Sequence, residues 1–419
     1  MEPPKLLHRP TIVLAAALVV ACGAPASSTS PSMSPASSPS MPPASLPSPA
    51  VVGSPSALPA FRVDRAAPML RARTGFDAVL LGDGSILAVG DDFACLPGPA
   101  QPGSETAERY DPATDTWTAA QSLNKPRKSF AMVGLADGRA LVIGGTNPDD
   151  VLYSSTKLFD PGTGEWTDGP LLSVARGDPV AATLVDGSVL VGSVTSVGET
   201  TSTTTTEILD RDAAAWRAGP PIEGLSALSF TALTDGRVMA VADGFEIEGA
   251  TLLFDPAAGT WQAIDGPSPF RHFRVVALDE GNALAISYDA FVLGRNATSQ
   301  VKRFDSATGV WSDIASPVFP REGTMITRLP SGPLFFAGGA SSDLSEPDGR
   351  ALVSTELFDD PGVWTVSLDL LEPRKDGHAV TLDDGSVLIF GGDASFNVAG
   401  DVPWCPDPMT STERVYLGS

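Results

Sequence analysis

Histidine, cysteine and tyrosine are scarce in this sequence of 419 residues, which contains three, three and four of them. A mononuclear copper or zinc centre usually takes two or three imidazoles or thiolates that lie close together. Beyond the N-terminal segment only His272 and His378 remain, and neither has a partner at ligand spacing. We therefore expect structural roles for both histidines, no metal site and no cofactor.

Basic residues and catalytic motifs are also in short supply. The 27 lysines and arginines are outnumbered by 50 aspartates and glutamates, which gives a net charge of −23 and argues against nucleic acid and anionic lipid as partners. The sequence has no Gly-x-Ser-x-Gly elbow, no phosphate-binding loop and no Gly-x-Gly-x-x-Gly after a strand. We predict a protein without catalysis, although two carboxylates that the fold brings together could still act as acid and base.

One pattern repeats seven times between residue 68 and the C-terminus, with a turn dipeptide about every 50 residues. The dipeptides are Asp83-Gly84, Asp137-Gly138, Asp186-Gly187, Asp235-Gly236, Glu280-Gly281, Ser331-Gly332 and Asp384-Gly385. A run of β-favouring residues follows each turn, and three of these runs end in a double glycine, at Gly144-Gly145, Gly338-Gly339 and Gly391-Gly392. Asp-Gly between such runs predicts a hairpin with a type I′ turn, in which both central residues have positive φ.

The second half of a repeat carries an aromatic or leucine residue, then aspartate, then tryptophan. These sets are Tyr110-Asp111 to Trp117, Phe159-Asp160 to Trp166, Leu209-Asp210 to Trp216, Phe254-Asp255 to Trp261, Phe304-Asp305 to Trp311 and Phe358-Asp359 to Trp364. Four strands per repeat, with glycines after the second and aromatics in the third and fourth, resemble the kelch repeat, whose arrays form β-propellers. The resemblance covers residues 60–419 and implies an all-β fold of the galactose oxidase and kelch-like superfamily.

Six tryptophans serve six blades, while the seventh repeat stops at Arg414-Val415-Tyr416-Leu417 without a fourth strand of its own. The segment Phe61-Arg62-Val63 near the start of the chain can supply that strand. A ring closed in this way leaves no exposed sheet edge. We therefore predict a seven-bladed β-propeller of four-stranded blades, closed by an N-terminal strand in the last blade.

The first 21 residues combine a basic start, with Lys5 and Arg9, and an apolar stretch that is too short to span a membrane, as is typical of a secretory signal. The sequence Val19-Val20-Ala21-Cys22 resembles the bacterial lipobox, which implies that Cys22 is lipidated and begins the mature protein. An ordinary signal peptide, cut at a nearby small residue, is the alternative.

Residues 22–59 are rich in proline, serine and alanine and predict a disordered linker before the propeller of residues 60–419. The lipobox implies a lipid-anchored, extracytoplasmic protein of the bacterial cell envelope. Because Gly23 stands where an aspartate would retain a lipoprotein at the inner membrane, the outer membrane or cell surface is favoured.

Two cysteines remain besides Cys22. In the ring that the kelch resemblance implies, Cys95 follows the second strand of blade 1, and Cys405 lies in the matching loop of blade 7, its neighbour after closure. We hypothesise a disulfide between them, which an extracytoplasmic compartment would permit. Two separate free thiols are the alternative.

Arginine is the most regular polar feature of the repeat. It stands ten residues before the turn dipeptide at Arg73, Arg127, Arg176, Arg321 and Arg374, and one place later in blade 5 at Arg271. The loops that lead into the first strands share one propeller face, where a partial ring of guanidinium groups could bind a carboxylate-bearing or anionic glycan or peptide. Alternatively, each arginine caps loop carbonyls or pairs with an aspartate of a neighbouring blade as part of the scaffold.

Three long connections after the second strand, residues 91–105, 340–351 and 393–410, belong to blades that are neighbours in the predicted ring. Trp404 in the third connection is a candidate for stacking on a sugar or peptide, with packing over the hypothetical disulfide as the alternative. Trp404 and the arginines together make up the candidate binding face.

Kelch-type propellers include galactose oxidase, whose copper-radical centre uses two histidines, two tyrosines and a cysteine cross-linked to one of those tyrosines. That set is not supported here, because Tyr110 and Tyr416 occupy the repeat's own aromatic position and only Tyr153 and Tyr288 remain. We predict a monomeric binding or adaptor module for a protein or glycan ligand, without catalysis. The alternatives are a carbohydrate-active enzyme, oxidase or hydrolase, with its site at the axial opening, and a structural protein of the envelope.

Overall fold

The computed structural model of the chain describes residues 62–90, 105–197, 202–212, 214–223, 225, 228–242, 250–267, 273–287, 300–319, 321–340, 351–394 and 408–416. The chain divides into the units Met1–Pro55 and Ser56–Ser419, and all described residues belong to the second unit. Their strands form seven antiparallel sheets. Among the described residues, no helix has the length and apolar character needed to cross a membrane.

The strands follow one another in sets of four, which we number as blades 1 to 7. The strands before and in blades 1 to 3 are β1 (Arg62–Ala66), β2 (Asp77–Leu80), β3 (Ile86–Val89), β4 (Ala107–Asp111), β5 (Thr116–Ala120), β6 (Ala131–Gly134), β7 (Ala140–Ile143), β8 (Thr156–Asp160), β9 (Glu165–Asp168), β10 (Val180–Thr183), β11 (Val189–Val197), β12 (Ser202–Leu209), β13 (Trp216–Ala218) and β14 (Ile222–Glu223). The short β14 is an addition to the pattern and pairs with β12 of blade 3.

Blades 4 to 7 continue in the same order. Their strands are β15 (Leu228–Ala232), β16 (Val238–Ala242), β17 (Thr251–Asp255), β18 (Thr260–Ile264), β19 (Phe273–Ala277), β20 (Ala283–Ser287), β21 (Val301–Asp305), β22 (Val310–Ile314), β23 (Met325–Arg328), β24 (Leu334–Ala337), β25 (Thr355–Asp359), β26 (Val363–Val366), β27 (His378–Thr381), β28 (Val387–Phe390) and β29 (Thr412–Tyr416). A 3-10 turn, Asp279–Gly281, lies between β19 and β20.

The seventh sheet has the order β1-β29-β28-β27, so the N-terminal strand is the outer strand of the last blade. The register runs from Arg62 opposite Tyr416 to Ala66 opposite Thr412. First strands of neighbouring blades contact one another around the centre of the ring. The predicted seven-bladed propeller and its closure by an N-terminal strand are confirmed.

Apolar side chains fill the space between neighbouring blades. Each of the seven buried clusters in the described chain combines residues of two adjacent blades. The repeated aromatic residue lies directly opposite the repeated tryptophan, as in Tyr110 opposite Trp117, whose ring centroids are 5.2 Å apart. The indole N–H of Trp166 donates to the backbone carbonyl of Gln121, 2.7 Å away, at the exit of the preceding blade. The repeated aromatics therefore hold each outer strand against its neighbour.

In six blades the connections between first and second strands differ from the predicted type I′ turns, while in blade 5 both Glu280 and Gly281 have positive φ, at 56° and 75°, as that turn requires. In blade 1 the N–H of Gly84 donates to the carbonyl of Leu81, and the N–H of Leu81 donates to the carbonyl of Ser85. This pattern belongs to a three-residue loop, a type I turn followed by a left-handed residue. Gly84 alone has positive φ, at 80°, while the Asp83 carboxylate accepts the N–H of Ser85 at 3.1 Å. The aspartate thus caps the turn, and only glycine supplies the left-handed conformation.

Residues near the start of the inner strands reach across to the next blade. The carboxylate of Asp77 accepts a hydrogen bond from the backbone N–H of Met132, and Arg274 Nη1 donates to the carbonyl of Thr324 at 3.1 Å. Burial disfavours the charged carboxylate and raises the pKa of Asp77 from 3.8 to about 6. The unfolded chain ionises this group at lower pH than the folded chain does, so stability is lost as pH rises from about 4 to about 6.

We expect Asp77→Asn to be more stable than the natural chain at pH 7, by about 1–2 kcal/mol. Asparagine carries no charge to bury, and its side-chain oxygen can still accept the Met132 N–H. The advantage should shrink as the pH falls through about 6 and vanish below about 4, measured by urea denaturation of both chains at a series of pH values. The exposed Asp149→Asn serves as control and should show no such pH dependence; a pH-independent effect of Asp77→Asn would contradict the assignment.

Candidate functional site

The structure describes five of the arginines proposed for the binding face, and all five side chains are buried. Their residues are 0 to 4% exposed, at Arg73, Arg127, Arg176, Arg321 and Arg374. Each stands in the segment that leads from the previous blade into a first strand. Arg271 and Trp404 lie outside the described residues, as do Cys22, Cys95 and Cys405. The described arginines therefore do not present an open ring of charges.

Blade 1 shows what the buried arginine does. Arg73 Nε and Nη2 both donate to Glu108 Oε1, at 3.1 and 2.8 Å, and Nη1 donates to the carbonyl of Gly90 at the end of the second strand. The same glutamate accepts the backbone N–H groups of Leu70 and Arg71, at 2.6 and 3.1 Å. We call this arrangement the arginine clamp: it ties the incoming segment to the second and third strands of its own blade.

The clamp recurs in three other blades. The Nη2 to carboxylate distances are 2.8 Å for Arg176 with Glu207, 2.8 Å for Arg321 with Glu356, and 2.7 Å for Arg374 with Glu413. All four glutamates are at most 2% exposed. A buried ion pair is tolerated only when further hydrogen bonds satisfy both groups, and here backbone carbonyls and N–H groups provide most of them, with Arg374 Nε left without a partner among the described residues.

The backbone of the same arginines joins neighbouring blades, which explains the double glycines. The N–H groups of Gly145, Gly339 and Gly392 donate to the carbonyls of Arg176, Arg374 and Arg73 in the following blades, at 2.8, 2.8 and 2.9 Å. The first glycine of the pair has no room for a side chain, since a Cβ on Gly144 would lie 2.7 Å from the Arg176 carbonyl oxygen. The last of these bonds spans the ring closure.

These contacts are those of a scaffold. The arginines cap loop carbonyls, as one of the two interpretations proposes, but their acidic partner is a glutamate of the same blade rather than an aspartate of a neighbour. Sequence reasoning missed this glutamate, although it stands two residues before the repeated aromatic in blades 1 and 6, and two residues before Leu209 and Val415 in blades 3 and 7. Where the arginine is replaced by Leu225, the glutamate is replaced by Leu252.

Blade 2 departs from the clamp. Lys157 occupies the position of the glutamate, and its Nζ lies 2.5 Å from Asp168 Oδ1. Arg127 keeps its bonds to the carbonyls of Gly144 and Ser155, at 2.8 and 2.9 Å, and its guanidinium lies 4.6 Å from the Tyr153 ring centroid. Its Nε has no hydrogen-bond partner, and burial lowers its pKa.

The residues that an oxidase-type copper centre would need have scaffold roles where they are described. His378 Nε2 lies 2.9 Å from the carbonyl oxygen of Phe76, and burial lowers its pKa, so the imidazole is neutral at pH 7. The Tyr110 hydroxyl lies 2.8 Å from Asp115 Oδ1, and the guanidinium of Arg62 covers the Tyr416 ring. These groups do not fit a copper-radical centre. Within the described ranges no three His, Cys, Asp or Glu side chains converge as metal ligands, while His272 and Tyr288 lie outside them.

Removal of one partner of a clamp should destabilise the protein more than removal of both partners. Glu356→Ala leaves the Arg321 guanidinium buried without its counterion and should lower the free energy of unfolding by about 3–5 kcal/mol. The double variant Arg321→Leu/Glu356→Leu copies the leucines at 225 and 252 of blade 4 and should lose clearly less. Urea denaturation of the natural chain and the two variants measures this, and a double variant that loses as much free energy of unfolding as Glu356→Ala, or more, would contradict the account.

Comparisons with known proteins fit the repeat and the fold. No model of a protein family matches the chain. A human protein, Kelch repeat and BTB domain-containing protein 13, is 27% identical over 188 residues, covering 43% of this chain and 38% of its own length. The chain thus spans less than two fifths of that relative.

Among solved structures, a fungal alcohol oxidase of the AA5 family, in complex with copper, superposes with a TM-score of 0.62. The match covers 86% of this chain and 76% of the oxidase at 17% identity, a level at which the likeness shows the fold alone. The seven four-stranded blades make the chain a seven-bladed β-propeller, and its sequence is similar to that of a kelch-repeat protein.

Proposed function

We propose that this propeller is a non-catalytic binding module for a protein partner. Kelch-type propellers commonly bind proteins, and the residues described here that resemble oxidase ligands are engaged in the scaffold. The binding surface in this proposal is the end of the ring that holds the connections between second and third strands and the segments that lead into the first strands. We call it the variable end.

The observation that carries the proposal is the contrast between the two ends of the ring. The connections between first and second strands lie at the opposite end of the ring, which we call the turn end. They are five residues long in all seven blades, as in 81–85 and 382–386. At the variable end, the connections between second and third strands range from four residues at 198–201 in blade 3 to twenty-one at 391–411 in blade 7. A scaffold repeated in each blade needs equal connections, whereas recognition by loops needs different ones.

A partner should therefore be captured through the variable end. We would cross-link and purify a tagged full-length chain, and compare it with a variant in which residues 395–407 are replaced by a four-residue Gly-Ser link. The natural chain should enrich a protein that the variant loses, while Glu165→Lys/Ala258→Lys at the turn end, both on exposed residues, should retain it.

Three results would count against this proposal. Equal capture by the loop variant and the natural chain would show that residues 395–407 are not part of the binding surface. Enrichment of glycans instead of a protein would favour the glycan ligand. About one equivalent of copper in the purified chain, together with turnover of an alcohol or sugar, would overturn the non-catalytic assignment.

We also propose that the propeller works outside the cytoplasm, attached to a bacterial membrane through a lipid on Cys22. The support is the basic and apolar start of the sequence and its lipobox-like Val19 to Cys22. In a bacterial host the natural chain should sediment with membranes and be released by detergent. Cys22→Ser should leave the membrane fraction, and retention of this variant there would contradict the lipid anchor.

A further inference from the structure

Blade 2 lacks the carboxylate that completes the clamp in blades 1, 3, 6 and 7. Lys157 stands at the position of Glu108, Glu207, Glu356 and Glu413. Its side chain is 8% exposed, and its Nζ contacts Asp168, a side chain that is 82% exposed. One buried negative charge of the repeat is thus exchanged for a positive one, while Arg127 remains in place.

Three donors of blade 2 are left without the acceptor that their counterparts have. In blade 1, Arg73 Nε and the backbone N–H of Arg71 both donate to Glu108 Oε1, each at 3.1 Å. The neighbouring Leu70 N–H donates to Oε2 of the same carboxylate, at 2.6 Å. The counterparts in blade 2 are Arg127 Nε and the N–H groups of Lys125 and Asn124.

None of these three groups donates a hydrogen bond within the described chain. Arg127 is 1% exposed, so its Nε is a buried donor without a partner. Arg374 Nε also lacks one, but Arg374 Nη2 donates to Glu413 at 2.7 Å. By equivalence of the blades, the Arg127 Nε and the Lys125 N–H point to one position, which a carboxylate oxygen occupies elsewhere in the ring.

The local charge favours an anion at that position. Lys125, Arg127 and Lys157 bring three positive charges, and all three lower the pKa of Asp168, with Lys157 having the largest effect. Asp168 is a carboxylate that all three share, so these four groups together carry a net charge of about +2 at pH 7. This positive site lies on a chain whose net charge is −23.

We propose that blade 2 binds a carboxylate of an acidic peptide segment that the partner supplies, in the place that a built-in glutamate has in four other blades. The N–H groups of Asn124 and Lys125 and the Lys157 ammonium would bind its oxygens, with Arg127 as the buried charge beneath. Asn124 and Lys125 are exposed residues at the variable end. The inference rests on the proposed function in one respect, that the ligand is part of a protein.

A variant that completes the clamp tests the site. Lys157→Glu/Asp168→Ala copies blades 1 and 3, where Glu108 and Glu207 lie opposite Ala119 and Ala218. The new glutamate should pair with Arg127 and fill the anion position from within. Unlike most core substitutions, this one should raise the thermal midpoint of unfolding, so lost binding cannot be attributed to misfolding.

The control is Lys302→Leu/Asp313→Ala. It removes the matching lysine and aspartate pair of blade 5, whose nitrogen to oxygen distance is 2.5 Å. It also copies blade 4, where Leu252 lies opposite Ala263. The probe for all three chains is the peptide acetyl-Gly-Glu-Gly-amide, titrated by calorimetry, with acetyl-Gly-Gln-Gly-amide as its neutral counterpart.

We expect the natural chain and the blade 5 control to bind the glutamate peptide at least about tenfold more tightly than the glutamine peptide. The completed clamp should lose that preference and unfold at a higher temperature. Absence of a preference in the natural chain, or its survival in the completed clamp, would overturn the site.

The partner capture described above separates this inference from the proposed function. Capture that survives in the completed clamp would overturn the claim that the partner supplies the carboxylate, while the binding module stands. Peptide binding that depends on Lys157, in a chain that captures no protein, would keep the anion site and overturn the protein-binding function.

Discussion

The buried guanidinium is the constraint on which much of this ring depends. A charge that is removed from water must have a counterion and an acceptor for each N–H, and the chain meets that demand with residues far apart in sequence. The incoming segment provides Arg73, the second strand ends in Gly90, and the third strand contributes Glu108. The buried arginine thus fixes where the incoming segment and the second and third strands of a blade meet. In three blades its backbone carbonyl also accepts a glycine N–H from the preceding blade.

Because the buried arginines lie at only one end of the ring, the two ends are built differently. At the turn end, the five-residue connections of blades 1, 2, 3, 4 and 7 are each capped by their own aspartate. At the variable end, the clamp arginine of blades 1, 6 and 7 binds the glycine carbonyl at the base of the long connection, so residues beyond that base can change in number without disturbing the sheet. Blade 2 shows the limit of such freedom, since Lys157 replaces the glutamate there and the buried Arg127 Nε has no acceptor among the described residues.

Most of the architecture could be predicted from the sequence because it is periodic. Seven turn dipeptides, six tryptophans and an orphan strand at Arg62 were enough for the blade number and the closure. Local geometry was harder: Asp-Gly suits two hairpin types, and the Asp-Gly connections adopt the one with a single left-handed glycine. The burial of the arginines could not be predicted in this way, because regular recurrence indicates that a residue has a role in most blades but not whether its side chain faces water. Only the matching glutamates, lost together with the arginine at Leu225 and Leu252, carry that information.

Closure by β1 also has a consequence for the order in which the protein is made. Its partner β29 is completed only after about 350 further residues have been added, which takes roughly 20 to 70 seconds at ribosomal rates. During that time β1 is a nascent strand without a partner, the kind of segment that pairs with wrong chains. Three of its five residues, Arg62, Asp64 and Arg65, are charged, a composition that resists aggregation until the last strand emerges.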